Sequence, residues 1–468
     1  MVNLSLFLRQ ERLETIFYCM VAFALLGPTL GVPVTEDFNL TFFRFAFILL
    51  SGGLLWRITI HKDFKAFYMY PIRWYTAFFV FWFLYGLCSI TWAVNMGAAV
   101  HYLIFLVMML SLTLSIPYFV TSEEKYWKIS RILLGVFAFI VYFAVFEGIT
   151  GVHLPSSGVF AKSYPSNTIT SVFTNQNDLA TCITLALPFL IAALLILSLT
   201  KKVKWFLYIT IVFSLFTLIA TGSRVNTALV LPILVILFAV LIPFVIERAK
   251  LTKKNVFKTI TAAIIAVLLA ICMSSLLIHV QKSVHDPRAK ILSSWKAIQD
   301  IKPAMEAAKN KDKKVVRGET GESITVRLNL LLNGLKFLQK SHFMGVGAGN
   351  IEPLMKGAPR VNKVNMHNWW AEVLVNFGVI IFILYISLYI WLCWRLWKLA
   401  WLKSSPYISP LIRWGAISSL IAMIGFVGGG VAPSTAIHYT PMWVVYGIAL
   451  AVIILGETQQ KKRESINI

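Results

Sequence analysis

Few residues in this chain have side chains capable of chemistry, and the densest group is Met366-His367-Asn368-Trp369-Trp370, with Gly378 beyond nine intervening residues. His367 offers an imidazole, the side chain most easily poised near neutral pH to accept a proton. Its bland reading is a cap at a helix start. Asn368 could orient that ring or bind hydroxyl groups. Trp369 and Trp370 read either as aromatics at a membrane–water interface or as a stacking platform. His438, in the glycine-rich string Gly428 to Pro441, is a second imidazole of the same kind.

Two arginines suit anion binding. Arg224 follows Thr221-Gly222-Ser223, and Arg327 stands ahead of Gly345-Val346-Gly347-Ala348-Gly349-Asn350. A guanidinium can hold a diphosphate bidentately, but it can equally anchor a chain at headgroup depth or sit solvated in a loop. Asp178, in Thr174-Asn175-Gln176-Asn177-Asp178, reads either as a rare intramembrane charge or as the acidic first turn of a capped helix. Glu147 and Arg44 fall near span ends, where they could reach water.

Other chemistries lack their signatures. His342, His367 and His438 are dispersed, and no HExxH, DxD or GxSxG string occurs, so neither metal nor cofactor is expected. Gly345-x-Gly-x-Gly lacks the spacing and preceding strand of a nucleotide loop, and reads better as a turn packed close to a helix end. The five cysteines fall in or beside apolar segments without CxxC spacing.

The elements that must position these residues are membrane helices. The 468 residues have a mean hydropathy of +0.75 and only 13% charge, which excludes a soluble globular domain. Backbone groups in lipid must bond within their own segment, and the period-2 alternation of a barrel is missing. An all-α polytopic fold follows. Twelve spans are expected, at roughly 16–34, 39–60, 74–95, 98–120, 129–150, 175–199, 203–221, 225–246, 256–280, 369–396, 408–432 and 440–456.

Charge placement supports the count. With both termini inside, 24 of the 43 Lys and Arg fall on the inner side. Three (Arg44, Lys162, Arg224) lie in the short outer loops, and 16 lie in residues 281–366, a long loop exempt from the positive-inside bias. The organisation expected is spans one to five in 1–170, six to nine in 171–280, an outer loop in 281–366, and three spans with a short tail in 367–468. In that loop Ser293–Lys309 reads as a polar helix and Lys309–Gly321 as a turn. Ser323–Lys340 reads as an amphipathic helix along the membrane surface, with Ile324, Leu328, Leu331, Leu332, Leu335 and Leu338 as its stripe. The net charge of +23 is largely topology signal, with solubility or headgroup attraction in the loop, and no nucleic acid partner is expected.

Taken together, Asn175-Gln176-Asn177-Asp178-Leu179-Ala180, Gly222-Ser223-Arg224, Arg327, the glycine-rich turn and His367-Asn368-x9-Gly378 resemble the O-antigen ligase and polymerase superfamily over roughly residues 170–456. Val225 stands where that family often has glycine, and Ile381 where its ligases prefer a small residue or tyrosine. The tryptophan doublet looks more like polymerases of capsule or teichuronic-type polysaccharides. The resemblance implies a metal-independent glycosyltransferase of GT-C-like helical fold in a bacterial cell membrane. Its active face would be extracytoplasmic, and its substrate a polyprenyl-diphosphate-linked oligosaccharide. Arg224 and Arg327 would bind the diphosphate and His367 would act as general base. Asn368, Asp178, Trp369, Trp370 and His438 would support the site or contact sugar. Other polysaccharide assembly and export proteins would be partners beside the bilayer itself. A ligase acting on a lipid or protein acceptor is the alternative within this class. A lipid-linked oligosaccharide transporter is the alternative outside it, disfavoured because no inverted repeat is evident.

Overall fold

The computed structural model describes residues 10–27, 31–35, 38–62, 66–158, 160, 168–281, 322–361, 363–434 and 437–466. The expected helix at Ser293–Lys309 and turn at Lys309–Gly321 lie outside the described residues. Within them the chain is helical, apart from one hairpin that pairs Gly31–Thr35 (β1) with Phe38–Thr41 (β2).

Eleven helical segments among the described residues are long and apolar enough to cross a membrane. In chain order the first helices are α1 (Gln10–Leu25), α2 (Phe42–His61), α3 (Arg73–Cys88), α4 (Met96–Phe119), α5 (Glu123–Thr150) and α6 (Gln176–Ile196). Then come α7 (Lys201–Thr221), α8 (Leu231–Val245), α9 (Lys253–Gln281), α10 (Glu322–Lys340) and α11 (Ile351–Met355). The last are α12 (Trp369–Ala400), α13 (Pro410–Gly429) and α14 (Thr440–Ile466).

The first expected span is corrected. Apolar composition runs through 16–34, but α1 stops at Leu25 after 16 residues. Gly27 then takes a φ of +59° ahead of Pro28, and the chain turns into the hairpin. Buried Leu13, Phe17 and Val21 pack α1 into the shared core.

Helices α6, α13 and α14 form the centre of the bundle. Helix α6 lies closely along α13, and α14 along α4. Small residues let these helices approach: a Cβ at Gly447 would come within 2.6 Å of Ile116, and one at Gly415 within 2.2 Å of the Tyr126 hydroxyl oxygen. Caps fix the helix starts. The side chains of Asn95, Ser122, Asn175, Thr200, Asn368 and Ser409 each accept from backbone N–H groups of the following turn.

Connections divide the bundle into two ends. At one, Thr440 donates to Ala24 O, Asn350 and Asn95 bond reciprocally, and Trp369 N–H donates to Gly430 O at 2.8 Å. At the other, the Glu123 carboxylate accepts from Ser409 and Gln459, and Arg395 pairs with Glu457. Every residue singled out for chemistry lies at the first end.

One further correction concerns that end. Glu147 does not reach up to water: it is 1% exposed, and its carboxylate accepts from Thr170 N–H at 2.9 Å and Ser171 N–H at 2.6 Å, tying the loop after α5 back onto the helix. Helix α10 is amphipathic, and part of its expected apolar stripe stays exposed. Val326, Asn329, Leu330, Asn333 and Leu338 are buried, whereas Leu332 and Leu335 are exposed. Val326 and Leu330, with Val346, Ile351, Met355, Met366, Ala371 and Val375, form a second, smaller core above the start of α12.

Candidate functional site

Three chain segments converge at the loop-bearing end. The first is the junction of α7 and α8. Helix α7 ends in a left-handed cap at Gly222, with φ +61°. Arg224 follows, and Val225–Val230 form a π-turn before α8. Such wide turns re-aim side chains and recur at functional sites. A buried polar network holds this junction to α6. Ser223 donates to Asn177 Oδ1 at 3.0 Å, while Asn226 bonds Ser223, Thr181 and Thr184 at 3.0–3.1 Å. Asn226 is fully buried, so its amide is satisfied only if this register is kept.

The second segment is α10, which carries Arg327. Asn329 and Asn333, one turn apart on the buried side, donate to Arg360 O at 3.3 Å and Pro359 O at 3.0 Å. They fasten the loop that leads into His367. Sequence reasoning missed them; their i, i+4 spacing was the available signal.

The third segment is that loop and the start of α12. His367 has a φ of +48°, an unusual conformation for a side-chain-bearing residue and one often found at functional sites. Asn368 is spent on capping: its Oδ1 accepts from Trp370 N–H at 3.1 Å and Ala371 N–H at 3.2 Å. It therefore holds the helix start rather than the imidazole. His367 is half-buried, and its Nδ1 is buried with no hydrogen-bond partner among the described residues.

Electrostatics place the three together. Burial, and then the neighbouring Arg224, lower the Arg327 pKa from its ordinary value. Burial, then Lys363 and Arg327, push His367 down to about 4, against an opposing hydrogen-bonding contribution from the Pro433 backbone. The imidazole is therefore neutral at pH 7. Among the described residues, neither Arg224 nor Arg327 has a carboxylate partner. Two partly buried guanidinium groups that feel each other, without a carboxylate partner among the described residues, have the chemistry to bind a multiply charged anion.

Gly378 shapes the floor of the site. There α12 is broken, with φ +79° and ψ −179°, a conformation open essentially to glycine alone. The turn at 343–347 docks into the break. Val346 N–H donates to Val375 O, Gly347 N–H to Asn376 O, and Val379 N–H to Phe343 O. The glycine-rich string thus does pack against helix ends: Gly345 against the break, and Gly349 against Ala98 O at the start of α4.

The other expected residues are placed differently. Trp369 is 2% exposed, donates to Tyr385 at 3.0 Å and packs against Phe426 and Trp443, so it neither lies in an interface belt nor presents a face to a ligand. Trp370 is half-buried and donates to Val427 O at 3.0 Å. Asp178 lies on the first turn after the Asn175 cap, and its carboxylate accepts from Asn175 Nδ2 at 2.6 Å and Ser434 N–H at 3.0 Å. It thus fastens the 430–439 loop to α6. His438 lies away from the trio: the charged and titratable neighbours it feels are His101 and Arg44. Glu372, buried one turn into α12 and accepting from Tyr102 at 2.9 Å, was also missed, being lost in an apolar run.

Among the described residues, no group of three or more His, Cys, Asp or Glu side chains is placed to hold a metal. Residues 209–386 match the family model for O-antigen ligase. That stretch contains Arg224, Arg327, His367, Asn368 and Gly378 but neither Asp178 nor His438, and it is narrower than the resemblance read from sequence. Over its whole length the chain is similar to the teichuronic acid biosynthesis protein TuaE of Bacillus subtilis (strain 168). The two are 26% identical over 468 residues, covering 97% of this chain and 87% of that protein.

Proposed function

We propose that this protein is an extracytoplasmic glycosyltransferase that polymerises polyprenyl-diphosphate-linked oligosaccharide repeat units into a cell-surface polysaccharide of teichuronic, capsule or O-antigen type. The observation that carries this reading is the convergence, from three separate segments, of two guanidinium groups that have no carboxylate partner among the described residues with a neutral, partly buried imidazole.

Each group has a role in the transfer. Arg224 and Arg327 hold the diphosphate of the donor, whose prenyl tail stays in the bilayer. An acceptor hydroxyl oxygen attacks the donor's anomeric carbon as the bond from that carbon to the diphosphate oxygen breaks. The electron pair leaves with the lipid diphosphate, where negative charge grows and the fixed guanidinium groups stabilise it. The hydroxyl proton passes to the lone pair of His367, a contribution of about 10²–10⁴-fold. Burial keeps that lone pair free at pH 7. No step calls for a metal.

The test is polymer synthesis in cells expressing His367→Ala or Arg224→Ala protein at normal levels. Loss of polymer is expected from both; normal polymer from both would sink the mechanism. The match to an O-antigen ligase family model keeps a ligase as the second reading. Polymer length decides between them. Single repeat units accumulating without the protein indicate a polymerase, whereas full-length but unattached chains indicate a ligase.

A further inference from the structure

At the same end of the bundle as the trio is a cavity of about 330 Å³ between the end of α1, the start of α2, the first half of α4, the start of α6 and the loop into α14. Its size is at the lower end of the range for small-molecule sites. Arg44, His101 and His438 are the basic side chains of its lining, gathered around the ring of Phe105. The Arg44 guanidinium lies 4.8 Å from that ring centroid, the His438 ring meets it edge-on at 4.1 Å, and the His101 ring lies 4.8 Å away. His101 and His438 are exposed to the cavity, and Arg44 is half-buried. Among the described lining residues the one carboxylate is Asp178, which is turned onto Asn175 and Ser434. The lining therefore offers one permanent cation, two imidazoles and an aromatic surface.

A single loop connects this cavity with the proposed catalytic centre. Gly430 O accepts from Trp369 N–H, Pro433 lies against His367, Ser434 is fastened to Asp178, and His438 stands in the cavity. His438 is five positions beyond Pro433, so their Cα atoms are no more than ~18 Å apart, a gap that an extended oligosaccharide can bridge.

We propose that the Arg44–His101–His438 cavity is a subsite for an acidic sugar of the glycan, whose carboxylate meets Arg44 while its ring packs by Phe105 and its hydroxyls bond the two imidazoles. A guanidinium has five N–H donors, enough to serve an incoming carboxylate as well as neighbours in the protein. The ligand class rests on the glycosyltransferase reading; the cationic, aromatic lining does not. An anionic lipid headgroup shares the chemistry of a carboxylate, and the experiment separates the two.

Full-length protein in nanodiscs of zwitterionic lipid is titrated with an oligogalacturonate and with a maltooligosaccharide of equal length. The acidic oligomer is expected to bind more tightly. Arg44→Gln should weaken it by roughly 10- to 100-fold, the loss of one charge-assisted hydrogen bond, and leave the neutral oligomer unchanged. His438→Gln serves as a second variant with the same expectation in direction, each compared at matched unfolding temperature. Equal binding of the two oligomers, or an acidic preference surviving both substitutions, overturns the proposal. So does displacement of the oligomer by anionic lipid added to the nanodisc, which would assign the cavity to a headgroup. His367→Ala protein should retain the acidic preference. A failure of the catalytic reading would instead appear as normal polymer in His367→Ala cells.

Discussion

Gly345 and Gly378 face each other with no room for a side chain on either. A Cβ on Gly345 would lie 2.5 Å from the Gly378 nitrogen, and one on Gly378 would lie 2.4 Å from the Met344 carbonyl carbon. Both have positive φ, +90° and +79°. The contact pins the break in α12 ten residues beyond the Asn368 cap, and so sets how the first turns of that helix, with His367 before them, meet the bundle.

Gly378→Ala is therefore expected to cost about 3 kcal/mol or more, from backbone strain together with overlap against backbone atoms that cannot rotate away. Thermal unfolding in detergent measures it. Gly52→Ala, where nothing lies within 4 Å of the added methyl, serves as control and should be neutral or slightly stabilising.

The pH dependence of transfer should carry the signature of a depressed histidine. A base works only when deprotonated, so kcat/KM, which reports the free protein, should hold from pH 8 down to about 5 and fall towards pH 4. A bound diphosphate favours the imidazolium, so the acid limb of kcat should lie at higher pH. A kcat/KM limb near 6.5 would mean that the ring is solvated in the working protein. Stability follows the same linkage: the folded state holds His367 neutral while the unfolded chain takes up a proton below 6.5, so stability should decline as pH falls from 6.5 towards 4.

Arg224→Ala and Arg327→Ala should each lower turnover by about 10²–10³-fold, the usual size of losing one preorganised charge donor. The double variant should lose less than the product, because the two groups serve one anion. Single-turnover assays with a lipid-diphosphate donor measure both. Full additivity would place the arginines in separate sites.

Asn333→Leu removes the bond to Pro359 O while keeping a buried side chain of similar size. A loss of about 1 kcal/mol is expected. Activity should fall further than stability does, because the loop that bond restrains carries His367. Asn368→Ala should likewise cost about 1 kcal/mol through the lost cap. Unfolding temperature and polymer yield, measured on the same preparations, separate the two effects.

Where apolar runs end in polar caps the sequence is easily read: the bounds expected for α4, α6, α7, α9 and α14 lie within a few residues of the structure at their starts. Legibility fails where composition is silent about conformation. Residues 26–34 are as apolar as a span, yet Gly27 and Pro28 end α1 and a hairpin follows. Nothing in the run Val373–Ile386 marks a break apart from Gly378 itself, because the bonds that replace the lost helical ones come from Phe343 to Gly347. In α10 the apolar stripe marks the helix but not the roles of Asn329 and Asn333, whose partners Arg360 O and Pro359 O lie some thirty residues along the chain. Sequence sidedness grouped Arg224, Arg327 and His367; only packing brings the arginines beside one another and sends His438 to a different cavity.

The paired glycines also bear on recombination among relatives. Residues 343–347 and 375–379 close on each other through backbone alone, so they behave as one exchangeable module despite the thirty or so residues between them. A chimera that takes its glycine turn from one parent and its broken helix from another should fail at this seam even where every side chain is compatible. Exchanging the whole block from Phe343 to Val379 should preserve it.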